Sequence, residues 1–207
     1  SAVAALVANA AMSLGGRTLV LTTTLRAIAV IAQVLRQQLA QRGSHLDVLA
    51  QGEWPKLRLM ERFRAGAGPQ GGCIFVASAS FWEGFDVPGD ALQLVVIDKL
   101  PFPPPGDPLV EARTLQIEQS GGSAFKEYAL AEAALALKQG AGRLIRHESD
   151  RGVLVVCDSR LVRMGYGKRL IAALPPMRRL SGAEEFHAAL EDLASVTRTS
   201  TTDQTFL

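Results

Sequence analysis

Three runs of consecutive apolar residues, Cys73-Ile74-Phe75-Val76-Ala77, Leu94-Val95-Val96-Ile97 and Val153-Leu154-Val155-Val156, carry no polar residue at alternate positions. A strand with one wet face alternates apolar and polar side chains, so unbroken runs fit strands covered on both faces, the pattern of a parallel sheet. Thr18-Leu19-Val20-Leu21, behind Gly15-Gly16, and Leu46-Asp47-Val48-Leu49 read as two further short strands. Helical patterns separate them: one over 25–41, closed by Gly43, one over 55–64 with Pro55 in its first turn, one opened by Asp107-Pro108, and an Ala- and Leu-rich one over 123–146. Such alternation predicts an α/β sandwich around a mostly parallel central sheet. A helix over 165–173, a break at Pro175-Pro176 and a last helix over 183–193 complete the body. The expected organisation is an N-terminal helix over 1–14, one domain over 15–194, and a flexible Ser/Thr-rich tail over 195–207.

With 207 residues, 48% of them apolar, the chain can bury a substantial core. Its 22 basic and 20 acidic side chains leave a charge of +2, so a polyanionic partner has to be argued from local residues. Cys73 and Cys157 each lie in or beside an apolar run and read as reduced core residues of a cytoplasmic protein. Two Cys and three His (His45, His147, His187) cannot assemble a Cys-rich zinc site or a four-Cys cluster within this chain. The longest apolar run, Ala2 to Ala8, has seven residues, against the roughly 18 needed to cross a bilayer. No membrane partner is expected, and with no basic segment before it the run reads as a packed helix.

Ligands of parallel α/β sheets gather beyond the carboxyl ends of the strands, which directs attention to the segments that follow each apolar run. After Ala77 comes Ser78-Ala79-Ser80-Phe81-Trp82-Glu83-Gly84-Phe85-Asp86-Val87-Pro88-Gly89, which combines hydroxyls, carboxylates, a Trp and a Gly. It reads either as a ligand loop or as an ordinary connection. In Gln139-Gly140-Ala141-Gly142-Arg143-Leu144-Ile145-Arg146, spacings of four and three put Gln139, Arg143 and Arg146 on one helical face. Glycine costs a helix interior about 0.8–1 kcal/mol, so Gly140 and Gly142 suggest close approach by a ligand. Two guanidinium forks on one face suit phosphate oxygens, although on the residues alone a solvated helix face or a structural pair with Glu148 or Asp150 is the commoner explanation. Thr22-Thr23-Thr24 joins a strand to a helix, where an anion site and a plain cap are both open readings. Asp98-Lys99-Leu100-Pro101-Phe102, followed by three prolines, reads as a rigid spacer or a ligand platform. Neither a Gly-x-x-x-x-Gly-Lys-Ser/Thr phosphate loop nor a strand-end Asp-Glu pair occurs, so these arginines suit half of a nucleotide site.

At residues 80–89 with 94–105 behind them, and at 139–146 followed by 152–160, the sequence resembles the DinG and XPD class of superfamily-2 iron–sulfur DNA helicases, most closely the bacterial DinG-type branch. The first stretch resembles helicase motif V, the second motif VI. The segment around Leu21-Thr22-Thr23-Thr24 resembles motif IV, where the family often has Phe-Thr-Ser. The resemblance runs from about Gly15 to Leu174. It implies a RecA-like three-layer sandwich serving as the second motor domain of an ATP-dependent 5′ to 3′ helicase, inactive as an ATP hydrolase alone. The phosphate loop, the magnesium-binding acidic box and the 4Fe-4S cluster would belong to the N-terminal part, with ATP and Mg2+ shared across the cleft. The resemblance assigns Arg146, Arg143 and Gln139 to catalysis and Glu83, Gly84, Asp86 and Gly142 to ATP. It assigns Thr22, Thr23, Ser80, Trp82, Lys99 and Phe102 to single-stranded or forked DNA. The implied partners are DNA and the N-terminal motor domain, with a monomeric chain. The rival readings are a non-catalytic helicase-fold module that binds single-stranded DNA or a protein, and a small-molecule enzyme using Glu83 and Asp86 as acid and base. Asp158-Ser159-Arg160 is expected to form a structural pair, and Arg58, Arg62 and Arg64 a solvated face.

Overall fold

A computed structural model describes residues 2–66, 71–78, 81, 87, 91–145 and 150–202, with side chains to 195. Five strands form one sheet: β1 (Thr18–Thr22), β2 (Asp47–Ala50), β3 (Cys73–Ser78), β4 (Leu94–Ile97) and β5 (Val153–Val156). Their order is β2-β3-β1-β4-β5, and every pairing is parallel. Thr18 of the central strand stands beside Ile74 on one side and Leu94 on the other, so the apolar runs align. All of β1, β3 and β4 is buried, as their lack of alternation requires.

Successive side chains of these strands point to opposite faces, and each face has its own core. On one face Leu19, Leu21, Phe75, Val95 and Ile97 pack under α3 (Lys56–Arg64), α5 (Leu130–Gly142) and α7 (Gly167–Ala173), which contribute Leu59, Phe63, Leu137 and Leu170. On the other Val20, Ile74, Val76, Leu94 and Val96 meet α1 (Ala2–Leu14), α2 (Leu25–Gln41) and α8 (Ala183–Thr202) through Val7, Ala11, Ile28, Leu35 and Leu190. The result is the three-layer sandwich expected from the sequence. Small side chains on α1 let it lie close to both α2 and α8. Helix α4 (Pro108–Gln119) buries none of its residues, and its start is fixed by the Asp107 carboxylate, which accepts from the Leu109 and Val110 amides. Thr24 caps α2 in the same way, accepting from the Ala27 amide at 3.1 Å.

Gly16 has φ +97°, and a Cβ there would lie 2.5 Å from the Cys73 amide nitrogen. The turn into β1 thus depends on glycine both for its backbone angle and for its contact with β3.

Three segments depart from the sequence reading. The helix expected over 123–146 opens with a π-helical turn, Phe125–Ala129, and ends at Gly142 with Arg143 as its C-cap. The last helix continues to Thr202 instead of giving way to an irregular tail at Ser195. No proline or glycine interrupts that stretch, and the Ser195 hydroxyl turns back to donate to the Asp192 carbonyl at 2.8 Å. A short helix α6 (Arg160–Arg163), not anticipated, follows β5. Among the described residues no helix is long and apolar enough to cross a membrane.

Candidate functional site

All strands run the same way, so their carboxyl ends form one edge. Thr22 ends β1 there and Thr23 and Thr24 follow it, Asp98 and Lys99 follow β4, and Cys157 and Asp158 follow β5. The Thr22 side chain is buried and its hydroxyl donates to the Thr24 carbonyl at 3.1 Å. Thr24 is occupied as the cap of α2, so Thr23 is the hydroxyl of this triplet that faces solvent. Lys99 is exposed and makes no ion pair among the described residues.

The β4–β5 corner is held by one carboxylate. Asp158, 7% exposed, accepts from the Leu100 amide at 3.0 Å and the Arg160 amide at 3.1 Å, and pairs with the Arg160 guanidinium at 2.6 Å. The Arg160 hydrogen bond, more than any other influence, holds the Asp158 carboxyl well below the usual range. This is the structural pair expected from Asp158-Ser159-Arg160. It fastens the loop that carries Lys99 and Phe102 to the end of β5. Burial raises the neighbouring Asp98, with Lys99 opposing and Asp158 reinforcing the shift. Burial also raises Cys157, and pushes the Cys73 thiol up to about 11, so neither thiol is primed as a nucleophile.

Phe102 stands in an aromatic cluster. Its ring lies 5.7 Å from Phe125 and 5.9 Å from Tyr166, with the Arg160 guanidinium 5.5 Å from its centroid. The π-helical turn carries Phe125 in this cluster, and Phe125 in turn meets Tyr166 at 5.2 Å. Phe102 is therefore half-buried and engaged on several sides, whereas Phe125 remains 44% exposed.

Gln139, Gly142 and Arg143 sit elsewhere, which corrects the expectation that the site residues share the carboxyl edge. A crossover helix runs antiparallel to the strands it joins, so α5 ends near their amino ends. The contact that fixes this is Leu144 against Gly152, just ahead of β5, where the Gln93 carbonyl, just ahead of β4, also closes in. Gln139 is exposed and Arg143 half-exposed without an ion pair among the described residues. A Cβ at Gly142 would meet nothing within 4 Å, so packing inside this chain does not demand glycine there.

Arg146, Ser80, Trp82, Glu83, Gly84 and Asp86 lie outside the described residues, as do His147 and Glu148. Their described neighbours Phe81 and Val87 are buried, and Phe81 packs edge-on against Phe75 at 5.1 Å. Arg62 pairs with Asp47 at 2.6 Å and also donates to the Gly71 carbonyl, which makes it a structural residue and not part of a solvated face. Arg58 stacks on Trp54, its guanidinium 4.1 Å from the ring centroid. Trp54, in the loop after β2, did not stand out in the sequence. The available signal was a large aromatic between Glu53 and Pro55, directly beyond a strand end. Among the described residues no group of three or more His, Cys, Asp or Glu is gathered to hold a metal ion.

A parallel five-stranded sheet between two helical layers, with polar side chains at strand and helix ends, is the architecture of a RecA-like motor domain. The chain belongs to the helicase C-terminal domain family, whose model matches residues 7–177, and within it to the DinG/XPD type. It is 52% identical over 134 residues to the ATP-dependent DNA helicase YoaA of Escherichia coli, covering 65% of this chain and 20% of that protein. It is 42% identical over 180 residues to the ATP-dependent helicase DinG of Mycobacterium tuberculosis, covering 87% of this chain and 26% of the relative. A Bacillus subtilis relative bearing the name 3′-5′ exonuclease DinG is 35% identical over 159 residues, 76% of this chain and 16% of that protein. The chain thus spans a quarter or less of the length of most of these relatives. Two solved structures, an XPD helicase and an XPD in its apo form, align with TM-scores of 0.55 and 0.57 at 16% identity. They cover 85% and 82% of this chain and 31% and 33% of theirs. At that identity the likeness bears on the fold alone.

Proposed function

We propose that this chain is the C-terminal motor domain of an ATP-dependent DNA helicase, supplying arginine fingers to a nucleotide bound mainly by a preceding motor domain. The observation that carries the reading is the end of α5. Gln139, Gly142 and Arg143 present donors and open space to solvent, with no ion pair on Arg143 among the described residues, in a chain whose family is the helicase C-terminal domain. Arg143 and Arg146 reach the transferred phosphoryl group and neutralise the charge spread over its oxygens, and Gln139 holds nucleotide or attacking water. Glu83, Gly84, Asp86 and Gly142 border the nucleotide. Single-stranded DNA crosses the carboxyl edge over Thr23 and Lys99, and Ser80 and Trp82 are further candidates for contacting it. Thr22 and Phe102 support that track from behind: one is buried and the other is tied into its aromatic cluster. ATP draws the two domains together, and hydrolysis with product loss lets them part, shifting one DNA grip against the other in the 5′ to 3′ direction.

The chain's own residues do not fit an iron–sulfur cluster. Cys73 opens β3 and Cys157 follows β5, with β1 and β4 between those strands, a lateral separation of about 14 Å at about 4.8 Å per strand. A cluster would belong to the preceding part of the polypeptide, as would the groups that hold Mg2+. The test is Arg146→Ala in the complete polypeptide. DNA-stimulated ATP hydrolysis should fall by about 10³-fold or more while DNA affinity stays within a few fold, and the 207-residue chain alone should hydrolyse no ATP. Near-normal turnover in the variant, or DNA-dependent hydrolysis by the chain alone, would overturn the reading.

A further inference from the structure

Strand β2 is the outermost strand on one side of the sheet, and the loop that leaves its carboxyl end, Gln51 to Pro55, reaches the same edge as Thr23 and Lys99. This loop is firmly placed. The Gln51 side-chain oxygen accepts from both the amide and the hydroxyl of Ser78 at the end of β3, at 2.8 and 2.9 Å. Gln51 also bridges to Trp54 through the backbone. Trp54 is 44% exposed although it is the largest apolar side chain in this part of the molecule. Arg58, one turn into α3, lies over its ring at 4.1 Å, and Trp54 borders an open groove of about 750 Å³ beside β2. The groove's charges are mostly settled. Arg36 pairs with Glu53 and Arg62 with Asp47, which neutralises two of its three carboxylates. The third, Glu61, lies five residues beyond Lys56 on α3, about 7.5 Å down the helix from the edge.

We propose that Trp54, with Arg58 stacked on it, is a base-stacking station for single-stranded DNA at the outer end of the carboxyl edge. The proposal rests on the reading of that edge as the DNA track. An indole offers a flat apolar surface to any base, and a stacked guanidinium adds a cation within reach of the adjoining phosphate without selecting sequence. The station lies two strand spacings from β1 and three from β4, about 10 and 14 Å across the edge from the threonine triplet and Lys99. A strand laid perpendicular to the β-strands meets the indole, the hydroxyl and the ammonium in turn. Phe102, one of the two aromatics that the resemblance assigned to DNA, is committed to Phe125 and Tyr166, whereas Trp54 has no aromatic neighbour among the ring contacts described.

The test is fluorescence anisotropy of a labelled thymidine oligonucleotide, and of an abasic strand of the same length, with the 207-residue chain. Trp54→Ala should weaken the thymidine strand by about 5- to 150-fold, the range of aromatic–base stacking, and leave the abasic strand within about twofold. Trp54→Phe, which keeps a ring, should hold affinity within a few fold, and Arg58→Ala should fall between the two. Unchanged thymidine affinity in Trp54→Ala would overturn the assignment and leave the DNA track standing, as would an equal loss on both strands. A wild-type chain that binds neither strand would overturn the track and the station together.

Discussion

Asp158→Ala removes the carboxylate that joins β5 to the loop after β4, and its cost follows from which partners can return to water. Leu100 is 2% exposed, so its amide, now 3.0 Å from Asp158, is left buried and unpaired, a loss of about 1–3 kcal/mol. The Arg160 side chain is 47% exposed and its guanidinium rehydrates, so the ion pair itself adds no more than about 1 kcal/mol. The total is about 1–4 kcal/mol. For a chain of this length each kcal/mol moves the melting temperature by about 2–4 °C, so a loss of about 3 kcal/mol lowers it by roughly 6–12 °C. Asp158→Asn keeps an acceptor for Leu100 and should lose about half as much. The pH dependence has a definite sign. Asp158 is depressed in the folded state, so the unfolded chain binds more protons in the window between the two values. Its contribution is complete above about pH 5 and is lost as pH falls below the ordinary Asp value of about 3.9. Asp98 works in the opposite direction: its carboxyl is raised, chiefly by burial, so its charged form costs stability as pH rises past the ordinary value. Thermal melts by circular dichroism from about pH 3 to 8 test the argument. The gap between wild type and Asp158→Ala should be constant near neutrality and shrink in acid. A shift under about 2 °C, or a gap unchanged at about pH 3, would refute the clamp.

Gly142→Ala separates folding from function. A Cβ there meets nothing within 4 Å, so the variant should be more stable by about 0.4–1 kcal/mol in urea unfolding, yet the complete polypeptide should hydrolyse ATP more slowly if nucleotide approaches this glycine. Gly16→Ala should do the reverse of the first effect. Its φ of +97° and the Cys73 amide 2.5 Å from the new Cβ predict a loss of at least about 1–3 kcal/mol, read as a lower urea midpoint.

β1, β3 and β4 were legible because each is a short apolar run closed by Thr, Ser or Asp, and burial on both faces leaves a sequence little choice; β5 is an apolar run that is only partly buried, and β2 opens on the exposed Asp47. Asp107 and Thr24 were legible as helix starts because their side chains do local work, bonding amides two or three residues ahead. What stayed hidden depends on distant partners. Arg62 looked like its neighbours Arg58 and Arg64 until Asp47, fifteen residues earlier, came to lie 2.6 Å from it. Phe102 looked like a free platform because the sequence gives no sign that Phe125 and Tyr166 converge on it. The π-helical turn is equally silent in the residues Phe125-Lys126-Glu127-Tyr128-Ala129, which favour an ordinary helix no less than their neighbours do.

The position of α5 changes how the two halves of the candidate site can communicate. Gln139 and Arg143 lie toward the amino ends of β4 and β5, while Thr23, Lys99 and Trp54 lie at the carboxyl edge. The strands between them have four to six residues, about 13–20 Å at about 3.3 Å per residue. No side chain spans that distance, so a nucleotide at one end cannot touch DNA at the other through this domain. The sheet between them is apolar on both faces and close-packed, and such cores transmit displacement instead of deforming locally. Under the proposed function the domain therefore moves as one body, pulled at its amino edge by the phosphates and carrying DNA on its carboxyl edge. Under that reading each edge has its own consequence: substitution of Arg143 acts on turnover, and substitution of Lys99 or Trp54 on DNA affinity. The connection between Ser78 and Leu94 joins one edge to the other and includes Glu83, Gly84 and Asp86. Substitutions there are the ones that should change turnover and DNA affinity together.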